Sequence, residues 1–304
     1  MRISTRTSTK DAARGRWHGI LTELGIDPHY LRDKHGPCPL CGGKDRFRFD
    51  NKNGDGTYFC SGCGAGDGMK LAVEWAGGQF KDVAAKIDGM IGNIEFDTVK
   101  PKPKSNPMKV LSKSRPAGLL VEPYLKSRGL ELPQYLGECP SHDYWETDEN
   151  GDLVKHGSFP CMVASLRDES GQVLGSHITF LDGNRKASVT SAKKINGEAP
   201  NGAVARLYDI TPTLGIAEGI ETAIACKILF GVNTWAALNT AFMEKFTPPE
   251  GVRNVIVFAD NDENYAGHKA AFTLAHKLKI KGYGVKVKFP PRAGMDFNDV
   301  LLEQ

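Results

Sequence analysis

The sequence has little that would place it in or across a membrane. No apolar run approaches the length of a transmembrane helix, and the first residues lack the hydrophobic core of a signal peptide. There are seven cysteines, an odd number, and four of them form two C-x-x-C pairs. In the absence of an export signal, paired cysteines favour a metal site over disulfides. We therefore expect a cytoplasmic protein.

A strong net charge is also missing. The 304 residues include 39 Lys and Arg against 36 Asp and Glu, so the net charge of +3 says little about partners. The charge is uneven, however, because residues 99–115 contain six basic residues, three prolines and no acid. This composition predicts an extended basic linker over 99–114. We expect it to separate an N-terminal domain, 1–98, from two further segments, 115–211 and 212–304.

The spacing of the paired cysteines indicates a zinc ribbon in the N-terminal domain. Cys38 and Cys41 are separated from Cys60 and Cys63 by 18 residues, which is within the range of such modules. Each pair places two thiolates on one ion, and four thiolates close a tetrahedral structural site. The sequence therefore predicts one structural Zn²⁺ held by these four cysteines.

Basic and aromatic residues alternate between the two cysteine pairs. Arg46 and Arg48 are predicted to contact nucleic acid, because basic groups beside flat rings are typical of single-strand binding. Phe47, Phe49 and Phe59 have two interpretations that the sequence does not separate. They either stack on bases or fill the small core of the ribbon.

From residue 213 onward, apolar strand patterns alternate with helical patterns. Strands are predicted up to 217, at 234–238, at 255–259 and at 285–289. Strands spaced by helices indicate a parallel sheet.

Carboxylates follow three of these strands. Glu218 comes directly after the first strand, Asp260 and Asp262 follow the third, and Asp296 follows the last after a short loop. Ligands bind at the carboxyl ends of parallel strands, so we expect the four acids to converge there. Such a group repels itself unless cations lie within it, and hard oxygen ligands suit Mg²⁺. The pattern predicts metal-assisted phosphoryl chemistry.

Several motifs resemble those of one protein family. Residues 35–48 and 57–64, which contain the cysteine pairs, closely resemble the zinc ribbon of phage-type bacterial DNA primases. The C-terminal segment is similar to a Toprim domain, the metal-binding fold of bacterial primases, some topoisomerases and some nucleases. The matching elements are Glu218-Gly219, Asp260-Asn261-Asp262 and Gly294–Asp299, and 218–223 is similar to the active-site signature of satellite-phage primases. Residues 124–130, 175–182 and 193–194 resemble that family's primase core.

The resemblance implies a fold class and a set of metal ligands. The fold would be α/β, with a small β zinc ribbon, a mixed α+β middle subdomain and a mostly parallel, Rossmann-like Toprim sheet. Glu218, Asp260 and Asp262 would be catalytic and would hold two Mg²⁺ ions, for which Mn²⁺ is a substitute. Asp296 would be a further Mg²⁺ ligand.

The resemblance also places Arg185, Lys193 and Lys194 in a groove for template and nucleotide. Lys269 lies near the start of a predicted helix, where phosphates are often bound, although a helix-surface position is nearly as well supported. For Glu221, one turn from Glu218, we favour a solvated helix residue over a supporting metal role. For Asp299 we favour a helix cap over a metal ligand.

The function that the resemblance implies is that of a DNA primase. It would use single-stranded DNA as template and nucleoside triphosphates as substrates, and it would work with a separate replicative helicase. It would act in the cytoplasm, which is that of a bacterial host if the gene is carried by a phage. No G-x-x-x-x-G-K-[ST] motif is present, so helicase activity is not expected. The alternatives are a Toprim nuclease and a non-catalytic DNA-binding recombination mediator. A topoisomerase is the least favoured.

Overall fold

The computed structural model describes residues 8–97, 106, 108–148, 153–197 and 202–304. The chain forms two compact units, Met1–Lys102 and Pro103–Gln304, and each is considered by itself. A turn predicted at 149–152 and positions 99–105 and 107 of the predicted linker lie outside the described residues. Within the described ranges, no helix is both long enough and apolar enough to cross a membrane.

In its described residues, the first unit combines a small antiparallel sheet with four α-helices. The sheet has the order β1-β2-β3-β4, with β1 (Gly36–Cys38), β2 (Gly42–Phe49), β3 (Tyr58–Cys60) and β4 (Gly64–Gly66). The helices are α1 (Thr9–Ala13), α2 (Trp17–Glu23), α3 (Gly68–Ala76) and α4 (Phe80–Met90). The sequence pattern over residues 11–25 predicts one helix, and the structure divides it into α1 and α2. Gly15 lies at the break with φ +74°, and its N–H donates to the carbonyl of Gly54 at 2.7 Å.

The second unit is built around one sheet of 11 strands. In chain order the strands are β5 (Arg115–Pro116), β6 (Gly137–Thr147), β7 (Leu153–Arg167), β8 (Val173–Asp182), β9 (Arg185–Lys186), β10 (Lys193–Gly197), β11 (Val204–Ala205), β12 (Thr213–Ala217), β13 (Thr234–Ala236), β14 (Asn254–Phe258) and β15 (Gly284–Lys288). The helices are α5 (Met108–Leu111), α6 (Glu122–Lys126), α7 (Ile220–Phe230), α8 (Thr240–Lys245), α9 (Ala266–Ile280) and α10 (Phe297–Leu302).

The sheet has a parallel part and an antiparallel part, and β13 belongs to both. The path runs β10-β8-β7-β11-β13-β12-β14-β15, and the last four strands are parallel to one another. The short strand β11 pairs antiparallel with both β7 and β13, and so it joins the middle segment to the C-terminal sheet. The predicted α/β fold class, with a zinc ribbon and a mostly parallel C-terminal sheet, is confirmed.

The central strands of the parallel part, β12 and β13, are buried almost throughout, as their apolar residues predict. Leu214, Ile216 and Ala217 of β12 have no exposed surface, and α7 is buried from Ile220 to Cys226. Gly215 is required by close packing, because a Cβ atom there would lie 2.2 Å from Oγ1 of Thr234 on β13. The unpaired cysteines, predicted as core residues, are buried at positions 139, 161 and 226.

Part of the predicted linker is folded. Residues 108–111 form α5, and Val110 is fully buried in a cluster with Ile178 and Phe180. The prediction of an extended, solvated chain is therefore wrong for this stretch. Its apolar Val-Leu pair gains more from burial than the neighbouring lysines gain from an extended backbone.

Candidate metal and nucleotide site

The four acids follow the carboxyl ends of neighbouring parallel strands. In the register of the sheet, Ala217 of β12 is opposite Phe258 of β14, which is opposite Lys288 of β15. Glu218 follows β12 directly, and Asp260 and Asp262 follow β14. Asp296 is the N-cap of α10, after β15. The strand order thus brings the predicted acids to one edge of the sheet.

Asn261 ties the loops after β14 and β15 together. Its N–H donates to the carbonyl of Met295 at 3.1 Å, and its Nδ2 donates to the carbonyl of Pro290 at 3.0 Å. The N–H of Gly294 donates to the Asn261 carbonyl at 2.6 Å. These bonds hold the start of α10, and with it Asp296, beside the acids after β14.

The electrostatics of the acids fit a cation. Burial, followed by the charges of Glu218, Asp296 and Asp262, raises the pKa of Asp260 to about 7. Burial, followed by Asp262, also raises the pKa of Glu218. Oδ1 of Asp260 is buried and has no hydrogen-bond partner among the described residues. A buried carboxylate oxygen among like charges is suited to a metal ligand.

The acids do not close around one point. Across the described chain, the four cysteines are the only group of three or more His, Cys, Asp or Glu residues whose ligand atoms all lie within 4.8 Å. Mg²⁺ does not require a closed protein cage, because it keeps several waters and binds through one or two carboxylates together with substrate phosphates. The open arrangement leaves room for such phosphates.

Gly267 in the first turn of α9 permits the close packing of this edge. A Cβ atom there would lie 2.6 Å from the carbonyl oxygen of Asp260 and 3.3 Å from Oδ2 of Asp262. The Gly267 N–H donates to the same Oδ2 at 3.2 Å. The helix therefore orients Asp262 with its backbone, which a side chain at this position would prevent.

Asp299 is a helix cap, as predicted. Its N–H donates to Oδ1 of Asp296 at 2.9 Å, and its own Oδ2 accepts from the N–H of Asp296 at 2.9 Å. This reciprocal capping box fixes the Asp296 side chain through one oxygen.

Glu221 differs from its prediction as a solvated residue. It is only 4% exposed, and Lys186 Nζ lies 3.0 Å from its Oε1 and Lys193 Nζ lies 3.3 Å from its Oε2. The Tyr124 hydroxyl donates to Oε1 at 2.7 Å. Burial alone would raise the pKa of Glu221, but the two lysines and the tyrosine hold it well below its usual range.

The charge of Lys193 reaches the acids as well as Glu221. It lowers the pKa of Glu218 and of Asp260, opposing the effects of burial and of the other acids. His177 lies beside this cluster, opposite Ile195 of β10. Burial, then Lys193, lowers the pKa of His177 to about 4, so the imidazole is neutral at pH 7. The cluster therefore carries a net positive charge, because two lysines share one carboxylate.

The other basic residues predicted in the groove have separate partners. Neighbouring strand residues point to opposite faces, so Lys194 does not join Lys193. Its Nζ contacts the carbonyl of Trp145 and lies 3.9 Å from the centre of the Tyr144 ring. Arg185 is exposed and pairs with Asp182 at 3.0 Å, and Lys269 is exposed on α9. Nucleic-acid contact by Arg185, Lys194 and Lys269 stays a prediction.

The four ribbon cysteines form a compact group of sulfurs. The Sγ–Sγ distances are 3.5 Å for 38 and 63, 3.7 Å for 41 and 60, 3.1 Å for 41 and 63, and 3.4 Å for 60 and 63. A tetrahedral Zn²⁺ site with bonds of about 2.3 Å has sulfurs about 3.8 Å apart. The N–H groups of Leu40 and Gly62 donate to the sulfurs of Cys38 and Cys60 at 3.4 and 3.3 Å. The cluster therefore fits one structural Zn²⁺.

The ribbon's aromatic residues divide between core and surface. Phe47 and Phe49 are each 1% exposed, so the core interpretation is correct for them, whereas Phe59 is 51% exposed. Arg46 lies 3.9 Å from the Cys41 sulfur, where its charge opposes that of the thiolates. Arg48 forms an ion pair at 2.5 Å with Asp33. Nucleic-acid contact by the two arginines stays a prediction.

Three family models match separate parts of the chain. A Toprim domain matches residues 213–304, and the zinc-binding domain of primase-helicase matches residues 33–69. A domain of unknown function (DUF7146) matches residues 104–206. The chain thus contains a Toprim domain and a zinc ribbon of the primase-helicase type. This pair of domains is that of the phage-type primases, so the resemblance found in the sequence is confirmed.

Solved primase structures are also similar. The Aquifex aeolicus primase fragment with zinc-binding and RNA polymerase domains is 17% identical, with a TM-score of 0.44 over 98% of this chain and 83% of its own. The primase fragment of the bacteriophage T7 primase-helicase is 17% identical, with a TM-score of 0.37 over 89% and 94%. The E. coli primase catalytic core is 18% identical, with a TM-score of 0.43 over 64% and 72%.

Proposed function

We propose that the protein is a DNA primase that makes short RNA primers on single-stranded DNA by metal-dependent nucleotidyl transfer. The observation that carries the proposal is the buried, unpartnered oxygen of Asp260 among three further carboxylates. Such a group favours metal-assisted phosphoryl chemistry. The match of residues 33–69 to a primase-helicase zinc-binding domain favours primer synthesis over other Toprim reactions.

Three acids would hold the catalytic Mg²⁺ ions: Glu218, Asp260 and Asp262. Asp296 would add its Oδ2, the oxygen that accepts no bond from Asp299. When bound, the ions would lower the pKa of the attacking 3′-hydroxyl and neutralise the leaving phosphates. Oδ1 of Asp260 would be free to bind a metal ion, because no donor in the described part of the chain competes for it.

Lys186 and Lys193 would bind the triphosphate of the incoming nucleotide. Glu221 fixes both amines, yet their side chains remain 34% and 42% exposed. In the reaction, the 3′-oxygen forms a bond to the α-phosphorus while the bond from that phosphorus to the bridging oxygen breaks. Pyrophosphate leaves with the bonding electrons, and the hydroxyl proton passes to water. The lysines would stabilise negative charge on the leaving group.

Primer synthesis is tested directly with the full chain. Single-stranded DNA, Mg²⁺ and labelled nucleoside triphosphates should yield short, template-dependent oligoribonucleotides on a denaturing gel. The double variant Asp260→Ala/Asp262→Ala should yield none. Glu263→Gln, which changes an exposed acid of the same loop, is the matched control and should retain synthesis.

Other outcomes of this assay identify the alternatives. No product from the wild type, or product that persists in the double variant, would refute the proposed mechanism. Metal-dependent cleavage of end-labelled DNA without nucleotides would indicate a Toprim nuclease. DNA binding with neither reaction would indicate a recombination mediator.

The zinc ribbon would present the template to the Toprim domain. Cys60→Ser should therefore impair template-dependent initiation more than Mg²⁺ binding at the acids. Isothermal titration with Mg²⁺ and the primer assay measure the two properties separately, and an equal loss of both would argue against distinct roles. The proposal further implies a cytoplasmic protein that works with a separate replicative helicase.

A further inference from the structure

The exposed face of α9 carries basic side chains together with exposed aromatic rings. The helix contains three lysines and two histidines and no acid. Its buried face is made of small and aliphatic residues at 267, 270, 271, 274 and 278. On the other side, Phe272 is 58% exposed, and Tyr265, which immediately precedes the helix, is 68% exposed.

Four rings form a continuous series on this surface, which we call the α9 track: Tyr265, His268, Phe289 and Phe272. The centres of the first two rings are 5.3 Å apart. His268 stacks on Phe289 at 4.1 Å with an interplanar angle of 9°, and Phe289 lies 5.7 Å from Phe272. Because the inner rings pack against each other, the outer rings are held in place and present their free surfaces outward.

The track begins beside the proposed metal site. The N–H of Tyr265 donates to the carbonyl of Asp262 at 3.0 Å. Tyr265 has φ +59°, a left-handed conformation that glycine and asparagine adopt more readily than an aromatic residue. An exposed tyrosine held in this conformation, next to an acid of the site, points to a use for its side chain.

Charge and shape together select the ligand. Exposed rings stack on unpaired bases of any sequence, and nearby lysines attract the phosphates. Lys269 and Lys279 lie on the same side of α9 as Phe272, as the helical period of 3.6 residues requires. From Tyr265 to His276 the helix rises about 16 Å, which is the length of about five nucleotides at roughly 3.4 Å each.

We propose that the α9 track binds single-stranded DNA template next to the acids. The inference rests on the proposed function, and it adds a second contact region for the template on the Toprim domain. The strand is the template and not the primer, because bases of a growing primer are paired to the template. Template bases outside that short duplex are unpaired, and only unpaired bases offer free faces to the rings.

The test compares binding of a labelled single-stranded DNA of 20 nucleotides, measured by fluorescence anisotropy with the full chain. The double variant Tyr265→Asn/Phe272→Ala removes both outer rings, and asparagine tolerates the left-handed backbone at 265. We expect binding about tenfold weaker or more, since base stacking on one ring accounts for roughly that factor. Phe272→Tyr keeps an aromatic ring at this position and should bind as the wild type does.

Two further measurements separate stacking from charge. Lys269→Gln/Lys279→Gln should reduce the salt dependence, with a slope of log affinity against log salt lower by about 1.4, or roughly 0.7 for each lost contact. Phe80→Ala is the control, because Phe80 is also 58% exposed but belongs to the first unit. It should leave the affinity within about twofold of wild type.

Several results would overturn the inference. These are unchanged DNA binding in the double variant, an equal loss in Phe80→Ala, or a greater loss for an RNA oligonucleotide than for DNA. Retained DNA binding with loss of a protein partner would also assign the track to another ligand. If the wild type makes no primers but the double variant loses DNA binding, the proposed function fails and the track stands. If primers form and the double variant binds DNA normally, only the track fails.

Discussion

Replacing Asp260 by asparagine is expected to stabilise the protein at pH 8 in Mg²⁺-free buffer, although it removes a proposed metal ligand. In the unfolded chain this carboxyl ionises near its ordinary pKa of 3.8, whereas burial and the neighbouring acids raise the pKa to about 7 in the folded protein. Between these pH values the folded state binds more protons than the unfolded state. The free energy of unfolding therefore falls as the pH rises, and the full cost is present above about pH 7.

The magnitude follows from the size of the pKa change. Each pKa unit corresponds to about 1.4 kcal/mol, so the rise at Asp260 corresponds to at most about 4 kcal/mol at pH 8. Because the side chain keeps some contact with water, we expect about half of this. Asp260→Asn should thus raise the free energy of unfolding by about 2 kcal/mol at pH 8 and by less than about 1 kcal/mol at pH 5.

Urea denaturation is the assay, followed by pulsed hydrogen exchange in peptides from β12 and β14. These peptides report on the second unit alone. The buffer contains no chelator, so that a zinc ion in the ribbon is not removed. The difference between variant and wild type cancels the titration of other groups, such as Glu138 and Glu221, whose pKa values are lowered.

Mg²⁺ completes the test. It should stabilise the wild type at pH 8, and Asp260→Asn should respond much less, because the repulsion that the ion relieves is already absent. Glu263→Gln should behave like the wild type. A variant that is less stable than the wild type at pH 8 in Mg²⁺-free buffer would refute the reasoning, since it would mean that Asp260 is stabilised as an anion by the protein itself.

Three further substitutions test other parts of the site. Glu221→Gln leaves two lysines without their anion and should cost about 1–3 kcal/mol in urea denaturation, less than a fully buried pair because both amines reach water; a gain in stability would contradict the described contacts. Gly267→Ala should cost about 1–3 kcal/mol and weaken Mg²⁺ binding by calorimetry, because the new methyl group meets the carbonyl of Asp260. Asp299→Ala should cost about 1 kcal/mol but keep Mg²⁺ affinity within about twofold, and a tenfold weaker affinity would make this residue a ligand and not only a cap.

The placement of the acids could be predicted because it depends on local sequence and one topological rule. Each acid follows an apolar run, and parallel strands bring their carboxyl ends to one edge. The cysteine spacing is equally local. The start of α10, which Asp296 caps, was also predictable, since an aspartate followed three residues later by another acid is a capping pattern.

Glu221 could not be placed from the sequence because its environment is made by distant residues. Helical spacing relates it to Glu218 but does not indicate what covers the other side of α7. Its partner Tyr124 is 97 residues away in the chain, and Lys193 is 28 residues away. One signal was present: α7 is apolar almost throughout, and an acid in a helix without a polar face must be buried and paired.

The ribbon phenylalanines were ambiguous for a different reason. Alternation along β2 shows that Phe47 and Phe49 share a face, but core packing and base stacking both require such a face. Helices α2 and α3 decide the matter, because they supply the rest of the core, including Trp17 and Leu71. Phe59, on the neighbouring strand, is left outside that core.

Glu218 and Glu221 are the same type of residue and lie about one helical turn apart, but their environments give them different functions. Burial raises the pKa of Glu218, and among the described residues no cation forms an ion pair with it, so it is prepared for an added charge. Glu221 is buried too, but two lysines and a tyrosine hold it as an anion. Lys193 connects the two, since it pairs with Glu221 while its charge favours ionisation of Glu218 and Asp260. Glu221 thus holds the Lys193 ammonium group beside the acids. A bound triphosphate would need both a metal cation at the acids and an amine next to them.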